Sequence, residues 1–396
     1  MEGLALLMSL PVRENRPIVP VTTFMIYVTE ECNLRCSYCF VNKQPRHMTW
    51  DTAKKVVDYC LQPEVSGQEV IGLNFFGGEP LLRCELLVQI LDHLRRRPGG
   101  DRVVLGATTN GTLAGESVRR FVQEGGVQLL ISLDGDEASH QFRPKVAGGD
   151  SWGHLRRNLR KLISWSSGAS IRMTFHPGSL NLLDKVLAAQ ELGAGWILLS
   201  PVVVADWSGH EEELSEQSWL LADWFISEFQ AGRVAPLHHY WSCLLDYHLR
   251  YGTEERPAKA CPLGTSLVAF DTAGNILPCH RYLLRKHERF GVAGRQVGLP
   301  SRRWDFVHLS RAEIPDCQTC IARTVCGGGC RVIPLEAGLG LNGVHPNQCL
   351  LTRELVRQVD RIYQKLRSDP EFLRTVLSQQ QMPLMFQEAK PISMEV

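Results

Sequence analysis

Thirteen cysteines give this 396-residue chain its clearest capacity for chemistry, and three of them lie within eight residues. Cys32, Cys36 and Cys39 follow the spacing C-x₃-C-x₂-C. Thiolates this close on one loop can converge on a single metal centre, and sulfur ligands suit iron–sulfur clusters or zinc. Three cysteines leave one iron of a four-iron cluster without a protein ligand. The spacing therefore predicts a metal centre with a position open to an exchangeable molecule.

A second group of cysteines occupies the C-terminal half of the chain. Its members are Cys261, Cys279, Cys317, Cys320, Cys326, Cys330 and Cys349. The simplest interpretation is a zinc site, because four of these cysteines suffice for a Cys₄ staple. Zinc would leave three cysteines unexplained, so seven favour two clusters. Cys60, Cys84 and Cys243 stand outside both groups, and we expect Cys60 and Cys84 to be ordinary buried side chains.

Six β-rich runs, each followed by a turn and an amphipathic helical run, must position these residues. The predicted strands are Thr22–Val28, Val70–Phe76, Val103–Thr108, Gln128–Ser132, Ser170–Phe175 and Trp196–Leu199, and the predicted helices are Trp50–Leu61, Leu86–Arg96, Glu116–Glu124, Trp152–Trp165, Leu182–Leu192 and Glu212–Phe229. This order predicts an α/β fold whose parallel sheet is open or curled into a partial (β/α)₆ TIM-type barrel, with its ligand at the carboxyl ends of the strands. A small, loop-rich and cysteine-rich iron–sulfur domain follows. The predicted boundaries are an extension over 1–21, the barrel over 22–235, the cysteine-rich domain over 236–350, and a helix and tail over 351–396.

The composition excludes several classes of protein. A net charge of +1 gives no basic surface for nucleic acid. No apolar stretch reaches the ~18 residues of a membrane span, and the N-terminus lacks the pattern of a secretory signal. We therefore expect a cytoplasmic protein without nucleic-acid or membrane partners. Cytoplasmic thiols stay reduced, so metal ligation explains the cysteines better than disulfides do.

The first cysteine array, with Tyr38 before its last cysteine, resembles the hallmark of the radical S-adenosylmethionine (SAM) family. The resemblance implies a [4Fe-4S] cluster whose open iron binds SAM, and reductive cleavage of SAM to a 5′-deoxyadenosyl radical that abstracts a substrate hydrogen. The cofactor supplies the hard chemistry, and the protein aims it. An electron donor such as flavodoxin or ferredoxin is implied as a partner.

Other motifs resemble SAM-binding elements of the same family. The run Gly77, Gly78, Glu79 and Pro80 is similar to the GGEP motif, whose backbone and carboxylate receive the SAM amino group. Glycines permit a close approach to a ligand, and a carboxylate pairs well with an ammonium. The resemblance also implies SAM contacts for Asn110, Ser132 and Arg143. The alternative for Asn110 is an ordinary turn residue.

The C-terminal array resembles the SPASM domain that follows the barrel in many radical SAM enzymes. This resemblance implies three [4Fe-4S] clusters in all. Cys317, Cys320, Cys326 and Cys349 would ligate an outer auxiliary cluster, and Cys261, Cys279 and Cys330 an inner one. Cys243 is a candidate for the fourth inner ligand; alternatively, the inner cluster keeps an open iron.

Several functions fit these motifs. The SPASM resemblance favours an oxidoreductase that installs a thioether or carbon–carbon crosslink in a ribosomally made peptide. The first alternative is an anaerobic sulfatase-maturating enzyme, which carries an Asp as base after the cysteine matching Cys279. Here that position is His280, a candidate catalytic base because imidazole can take a proton near neutral pH. The motifs also admit a tetrapyrrole-modifying enzyme and a zinc-stapled binding protein.

The distance of the first cluster from the N-terminus bears on peptide recognition. Only 31 residues precede Cys32, too few for the leader-binding domain fused to some peptide maturases. We expect leader recognition, where it is needed, to come from a separate leader-binding protein or from the barrel rim.

Overall fold

The structure is a computed structural model that describes residues 20–67, 69–250, 261–295, 298, 314–323, 325–326 and 328–378. Most of the predicted N-terminal extension and of the predicted tail lies outside the described residues. Among the residues described, no helix is long and apolar enough to cross a membrane.

Six parallel strands form the first part of the sheet, and each pairs with its neighbours in sequence. Their order across the sheet is β6-β5-β4-β3-β2-β1. The strands are β1 (Thr23–Thr29), β2 (Ile71–Gly77), β3 (Val103–Thr109), β4 (Gln128–Ser132), β5 (Gly168–Phe175) and β6 (Ile197–Pro201). Every residue of β2 is buried, because a barrel strand packs against helices outside and side chains inside. The predicted (β/α)₆ fold is confirmed.

The six predicted helices are present, with ends within two residues of the amphipathic runs. They are Trp50–Cys60, Cys84–Arg95, Glu116–Glu124, Trp152–Trp165, Leu182–Glu191 and Glu211–Gln230. Thr49 caps the first of them, where its side chain accepts a hydrogen bond from the backbone N–H of Thr52. The short helix Pro63–Ser66 precedes β2.

The chain after residue 235 differs from the prediction in two ways. Residues His238–Arg250 form a helix where a loop-rich module was expected. Three further strands, β7 (Leu267–Phe270), β8 (Asn275–Leu277) and β9 (Gly291–Val292), extend the barrel sheet beyond β1. Strand β7 is parallel to β1. Strand β8 is antiparallel to β7, and β9 is antiparallel to β8. The pairing satisfies backbone groups that an open edge at β1 would leave unpaired.

Four helices follow β9 in the described part of the chain. They are Pro315–Gln318, Val332–Glu336, Pro346–Leu366 and Pro370–Ser378. Near the start of the longest, Asn347 Nδ2 donates to the carbonyl oxygens of Val203, at 3.0 Å, and Ala205, at 2.8 Å. These bonds fix the loop that follows β6, which lines the cavity described below.

Candidate active site at the carboxyl ends of the strands

The loop that carries the first three cysteines begins directly after β1. Its first cysteine, Cys32, is buried, and the other two are partly exposed. The backbone N–H of Arg35 donates to Pro144 O at 2.8 Å, and that of Ser37 donates to Phe142 O at 3.0 Å. The loop after β4 therefore supports the cysteine loop along its length.

Asn110, at the end of β3, ties the cysteine loop to the sheet. Its Nδ2 donates to Asn33 Oδ1 at 2.8 Å and lies 3.8 Å from Cys32 Sγ. Its Oδ1 accepts the backbone N–H of Thr112 at 3.0 Å. The amide that we predicted to contact SAM is thus engaged with the chain itself, where it orients the first cysteine.

Gly77 and Gly78 allow the end of β2 to pass directly under the cysteine loop. A Cβ atom on Gly78 would lie 2.1 Å from Glu31 O and 2.9 Å from Cys32 N. A Cβ on Gly77, whose φ is +142°, would lie 2.0 Å from Thr29 O. Only glycine fits such an approach, so these glycines set the position of the first cysteine.

Glu79 is fully buried and accepts three hydrogen bonds from the chain. Its Oε1 accepts from Leu81 N at 3.1 Å and Thr109 Oγ1 at 2.9 Å, and its Oε2 accepts from Asn110 N at 2.6 Å. Burial raises the pKa of this carboxyl to about 7, while the three donors lower it. Glu79 and Pro80 do not line the cavity, and both carboxylate oxygens accept hydrogen bonds that position the chain. The contact of Glu79 with SAM stays a prediction.

Arg143 and Asp134 connect the ends of β3, β4 and β5 to the cysteine loop. Arg143 Nη1 donates to Ser132 O at 2.6 Å, and its side chain also interacts with Cys36. Tyr38 OH donates to Asp134 Oδ2, whose Oδ1 accepts the backbone N–H of Thr174 at 3.0 Å. Arg143 Nε is buried and has no hydrogen-bond partner within the described ranges, so it is available to a bound cofactor.

A cavity of about 190 Å³ opens at this end of the sheet. Residues of the sequence prediction that line it are Cys32, Cys36, Cys39, Gly77, Gly78, Asn110, Ser132 and Arg143. Arg281 and Ile333, from the C-terminal part, line it as well. The cavity therefore lies between the cysteine loop and the cysteine-rich C-terminal part.

In the C-terminal part, electrostatic interactions between thiols separate the seven cysteines into two sets. Burial raises the pKa of Cys279 to about 12, and Cys330 and Cys261 add to the increase. The second set consists of Cys349, Cys326, Cys317 and Cys320. Burial is the largest cause that raises the pKa of Cys349, and the other three thiols raise it further. These are the sets that the SPASM resemblance assigned to the inner and outer clusters, whose ligand roles stay predictions.

The cysteines fit iron–sulfur chemistry by their donors and their surroundings. Backbone N–H groups donate to Cys32 Sγ from Leu34, at 3.3 Å, and to Cys320 Sγ from Ala322, at 3.4 Å. Such N–H···S bonds stabilise cluster thiolates. Burial raises the pKa of Cys32 to about 11 and so disfavours its thiolate form. A bound metal cation would offset this effect, because it favours the thiolate. Among the described residues, no three Cys, His, Asp or Glu side chains are grouped closely enough to hold one metal ion.

Cys243, considered above as a fourth inner ligand, is buried on the helix His238–Arg250. Burial raises its pKa to about 12, and Asp246 and Cys326 contribute. The thiol that interacts with Cys243 is therefore that of Cys326, a member of the outer set.

His280, the predicted catalytic base, packs against aromatic rings and does not line the cavity. Its ring centroid lies 5.4 Å from that of Phe76 and 5.9 Å from that of Phe40. Burial lowers its pKa to about 3, with contributions from Arg172 and Arg281, so the imidazole is neutral near pH 7 and a weak base. The geometry gives a catalytic role no support, and that role stays an untested prediction.

Three cationic residues line the cavity without having been singled out from the sequence. They are Lys43, Arg172 and Arg281. Arg172 lies at an alternating position of β5, and its charge within a predicted strand was the available signal. Nothing in the sequence indicated that Arg281 faces the same cavity, because it arrives from a separate part of the chain.

Comparison with known proteins agrees with this geometry. Residues 26–179 match the radical SAM superfamily. Over 339 residues the chain is 24% identical to the serine-type anaerobic sulfatase-maturating enzyme of Klebsiella aerogenes. This match covers 80% of this chain and 81% of that protein. It is 34% identical over 128 residues to the uncharacterized protein MJ0907 of Methanocaldococcus jannaschii, covering 32% of this chain and 43% of that one.

Two solved structures share the fold. anSMEcpe with bound AdoMet superposes with a TM-score of 0.74 at 20% identity, covering 91% of this chain and 99% of that one. Streptococcus suis SuiB bound to precursor peptide SuiA superposes with a TM-score of 0.56 at 14% identity, covering 84% of this chain and 76% of that one. Residues 26–179 therefore form a radical SAM domain, and the chain is similar over most of its length to anaerobic sulfatase-maturating enzymes, with a cysteine-rich C-terminal region.

Proposed function

We propose that this enzyme modifies a ribosomally made peptide by abstracting a hydrogen and installing a thioether or carbon–carbon crosslink. The observation that carries the proposal is the cavity, which is lined by the radical-cluster cysteines and by Arg281 and Ile333 of the C-terminal part. A substrate in this cavity lies between the site where the radical forms and the auxiliary cysteines, whose clusters would accept the electron that oxidation releases.

The cofactors divide the work with the chain. When bound, the [4Fe-4S] cluster and SAM supply a 5′-deoxyadenosyl radical. Cys32, Cys36 and Cys39 would hold the cluster, and Ser132 with Arg143 would receive SAM. The Glu79 carboxylate holds the ends of β2 and β3 in register, so that the SAM-binding turns keep their place.

A peptide substrate is supported by what related proteins bind. anSMEcpe has been solved with AdoMet and the Cp18Cys peptide, and SuiB with its precursor peptide SuiA. Both share the fold of this chain over more than four-fifths of its length. An electron donor such as flavodoxin or ferredoxin completes the reaction, and a separate leader-binding protein is part of the proposal.

Sulfatase maturation is the second candidate, and the length of the match to the Klebsiella enzyme favours it. Against it, none of the described residues that line the cavity is an aspartate or glutamate. His280 replaces the aspartate that serves as base in those enzymes, and it packs on Phe40 and Phe76 instead. This difference favours a crosslinking peptide maturase.

Metal analysis of anaerobically purified protein tests the cofactor content first. Three four-iron clusters predict about twelve irons per chain. If the purified protein contains mostly zinc and shows no visible absorption, the proposed radical SAM activity is contradicted.

Mass spectrometry of coexpressed peptides then tests the reaction. Crosslinking and conversion of serine to formylglycine both remove two hydrogens, so the mass alone does not separate them. A hydroxylamine probe does, because formylglycine carries an aldehyde and a crosslink does not. A product that reacts with hydroxylamine would favour sulfatase maturation. A product that loses two hydrogens and stays unreactive supports the crosslink.

A further inference from the structure

The charges that line the cavity are strongly one-sided. Lys43, Arg143, Arg172 and Arg281 contribute four cations, and no carboxylate is present among the lining residues that the structure describes. Buried or half-buried guanidinium groups are costly to desolvate unless an anion pairs with them. The cavity is therefore suited to an anionic occupant.

Two of the four cations already have partners on the side of the cysteine loop. Arg143 donates to Ser132 O and interacts with Cys36 and Asp134. Lys43 interacts with Cys32 and Cys36. Their charge is accounted for by the radical cluster and by the residues expected to hold SAM.

Arg172 and Arg281 are not accounted for in this way. Arg172 projects from β5, and no described residue accepts a hydrogen bond from its guanidinium or forms an ion pair with it. Arg281 forms an ion pair with Glu336, with 2.8 Å between Nη2 and Oε2, and its guanidinium lies 4.8 Å from the centre of the Phe40 ring. Its Nε is buried and unpaired within the described ranges.

The two guanidinium groups are close enough to influence each other. Burial lowers the pKa of Arg172. Tyr38 and Asp134 raise this pKa, and the charge of Arg281 lowers it further. Like charges held together in a cavity repel unless an anion lies between them. A carboxylate is the anion whose two oxygens match the planar fork of a guanidinium.

We propose that Arg172 and Arg281 form a substrate subsite that binds a peptide carboxylate, and that the enzyme selects acidic peptide segments through it. This inference rests on the proposed function, because it assigns the chemistry of the substrate. The carboxylate comes from an Asp or Glu side chain or from a peptide C-terminus. Arg172 arrives on β5 and Arg281 on the C-terminal part, so the subsite exists only where the two meet.

Selection of peptides from a synthetic library tests the subsite without knowledge of the natural substrate. The probe is a library of random decapeptides, offered to anaerobically reconstituted full-length enzyme with SAM, and bound peptides are sequenced by mass spectrometry. One arm uses acetylated and amidated peptides, and a second arm leaves the C-terminal carboxylate free. Variants Arg172→Gln and Arg281→Gln are compared with Arg156→Gln, which removes an exposed arginine outside the cavity.

We expect the wild type and Arg156→Gln to enrich Asp and Glu over Asn and Gln. Acidic peptides in the blocked arm assign the carboxylate to side chains, and enrichment confined to the free arm assigns it to the C-terminus. Affinity for an enriched peptide should fall about tenfold in Arg172→Gln, the loss expected for one charge-assisted hydrogen bond. Iron content and the midpoint of thermal unfolding should match those of the wild type, which shows that the variant is folded.

Three results would overturn the inference. Peptide binding without acidic preference removes the subsite and leaves the proposed function standing. Loss of SAM affinity in Arg172→Gln, with peptide binding retained, assigns the guanidinium to the cofactor instead. Absence of both peptide binding and peptide modification overturns the proposed function together with the subsite.

Discussion

Gly78→Ala is the substitution whose effect follows most directly from the structure. The added Cβ would lie 2.1 Å from Glu31 O and 2.4 Å from Glu31 C. Protein Cβ atoms essentially never lie within 3.0 Å of another heavy atom of this kind, so the two backbones must separate by about 0.9 Å, the difference between 3.0 and 2.1 Å. Both contacts are with backbone atoms, and no side-chain rotation relieves them.

The separation displaces Cys32, whose backbone N would lie 2.9 Å from the same Cβ. Overpacking of this size costs about 1–3 kcal/mol of stability, and a displacement of about 1 Å at a reacting centre can cost about a hundredfold in rate. We therefore expect loss of the radical cluster and of SAM cleavage, while the auxiliary clusters assemble normally.

Iron and sulfide analysis with electron paramagnetic resonance measures the outcome. Gly78→Ala should contain about four fewer irons per chain than the wild type and release about a hundredfold less 5′-deoxyadenosine. Gly115→Ala is the matched control, because its Cβ meets nothing within 4 Å. Wild-type iron content and SAM cleavage in Gly78→Ala would refute the role assigned to the close backbone approach.

Four further substitutions test other parts of the structure. Cys36→Ala should abolish SAM cleavage, whereas Cys320→Ala should retain some uncoupled cleavage and yield no product; full product from the latter would remove Cys320 from the auxiliary clusters. Glu79→Gln presents an NH₂ group to one of three donors and should lower the free energy of unfolding by about 1–3 kcal/mol, which thermal unfolding measures. Burial lowers the pKa of Lys185 to about 8, from a usual 10.5, so the unfolded chain binds more protons between these values and stability rises there with pH. The rise, about 2 kcal/mol over this range, should vanish in Lys185→Met when urea unfolding is compared at about pH 7.5 and 10; an equal rise in the variant would contradict it.

The barrel was predictable because its signals are local. Alternating β-rich and amphipathic runs reflect the burial that each segment needs, and the right-handed βαβ connection then orders the strands. The first cysteine group was predictable for a similar reason, since its spacing places three thiols on one loop. Thr109 and Asn110 could be placed at the end of β3 from the sequence, but their bonds to Glu79 could not.

Elements that pair across long stretches of sequence escaped prediction. Strand β7 joins β1 across more than two hundred residues, and its four residues carry no pattern that specifies this partner. The helix His238–Arg250 was missed because the cysteine-rich sequence that follows it suggested a loop-rich module. Backbone pairing at a sheet edge and packing against a distant helix determine both.

The sequence by itself predicted the metal chemistry, because ligand type and spacing are properties of one short loop. It also determined that Gly77 and Gly78 follow β2, but not what they approach. Only the tertiary structure decided that these glycines pass under Cys32, that Glu79 accepts hydrogen bonds from Thr109 and Asn110, and that Arg281 shares a cavity with Arg172. Each of these facts depends on atoms brought together from separate segments, and the free energy that brings them together is spread over the packing of the whole barrel.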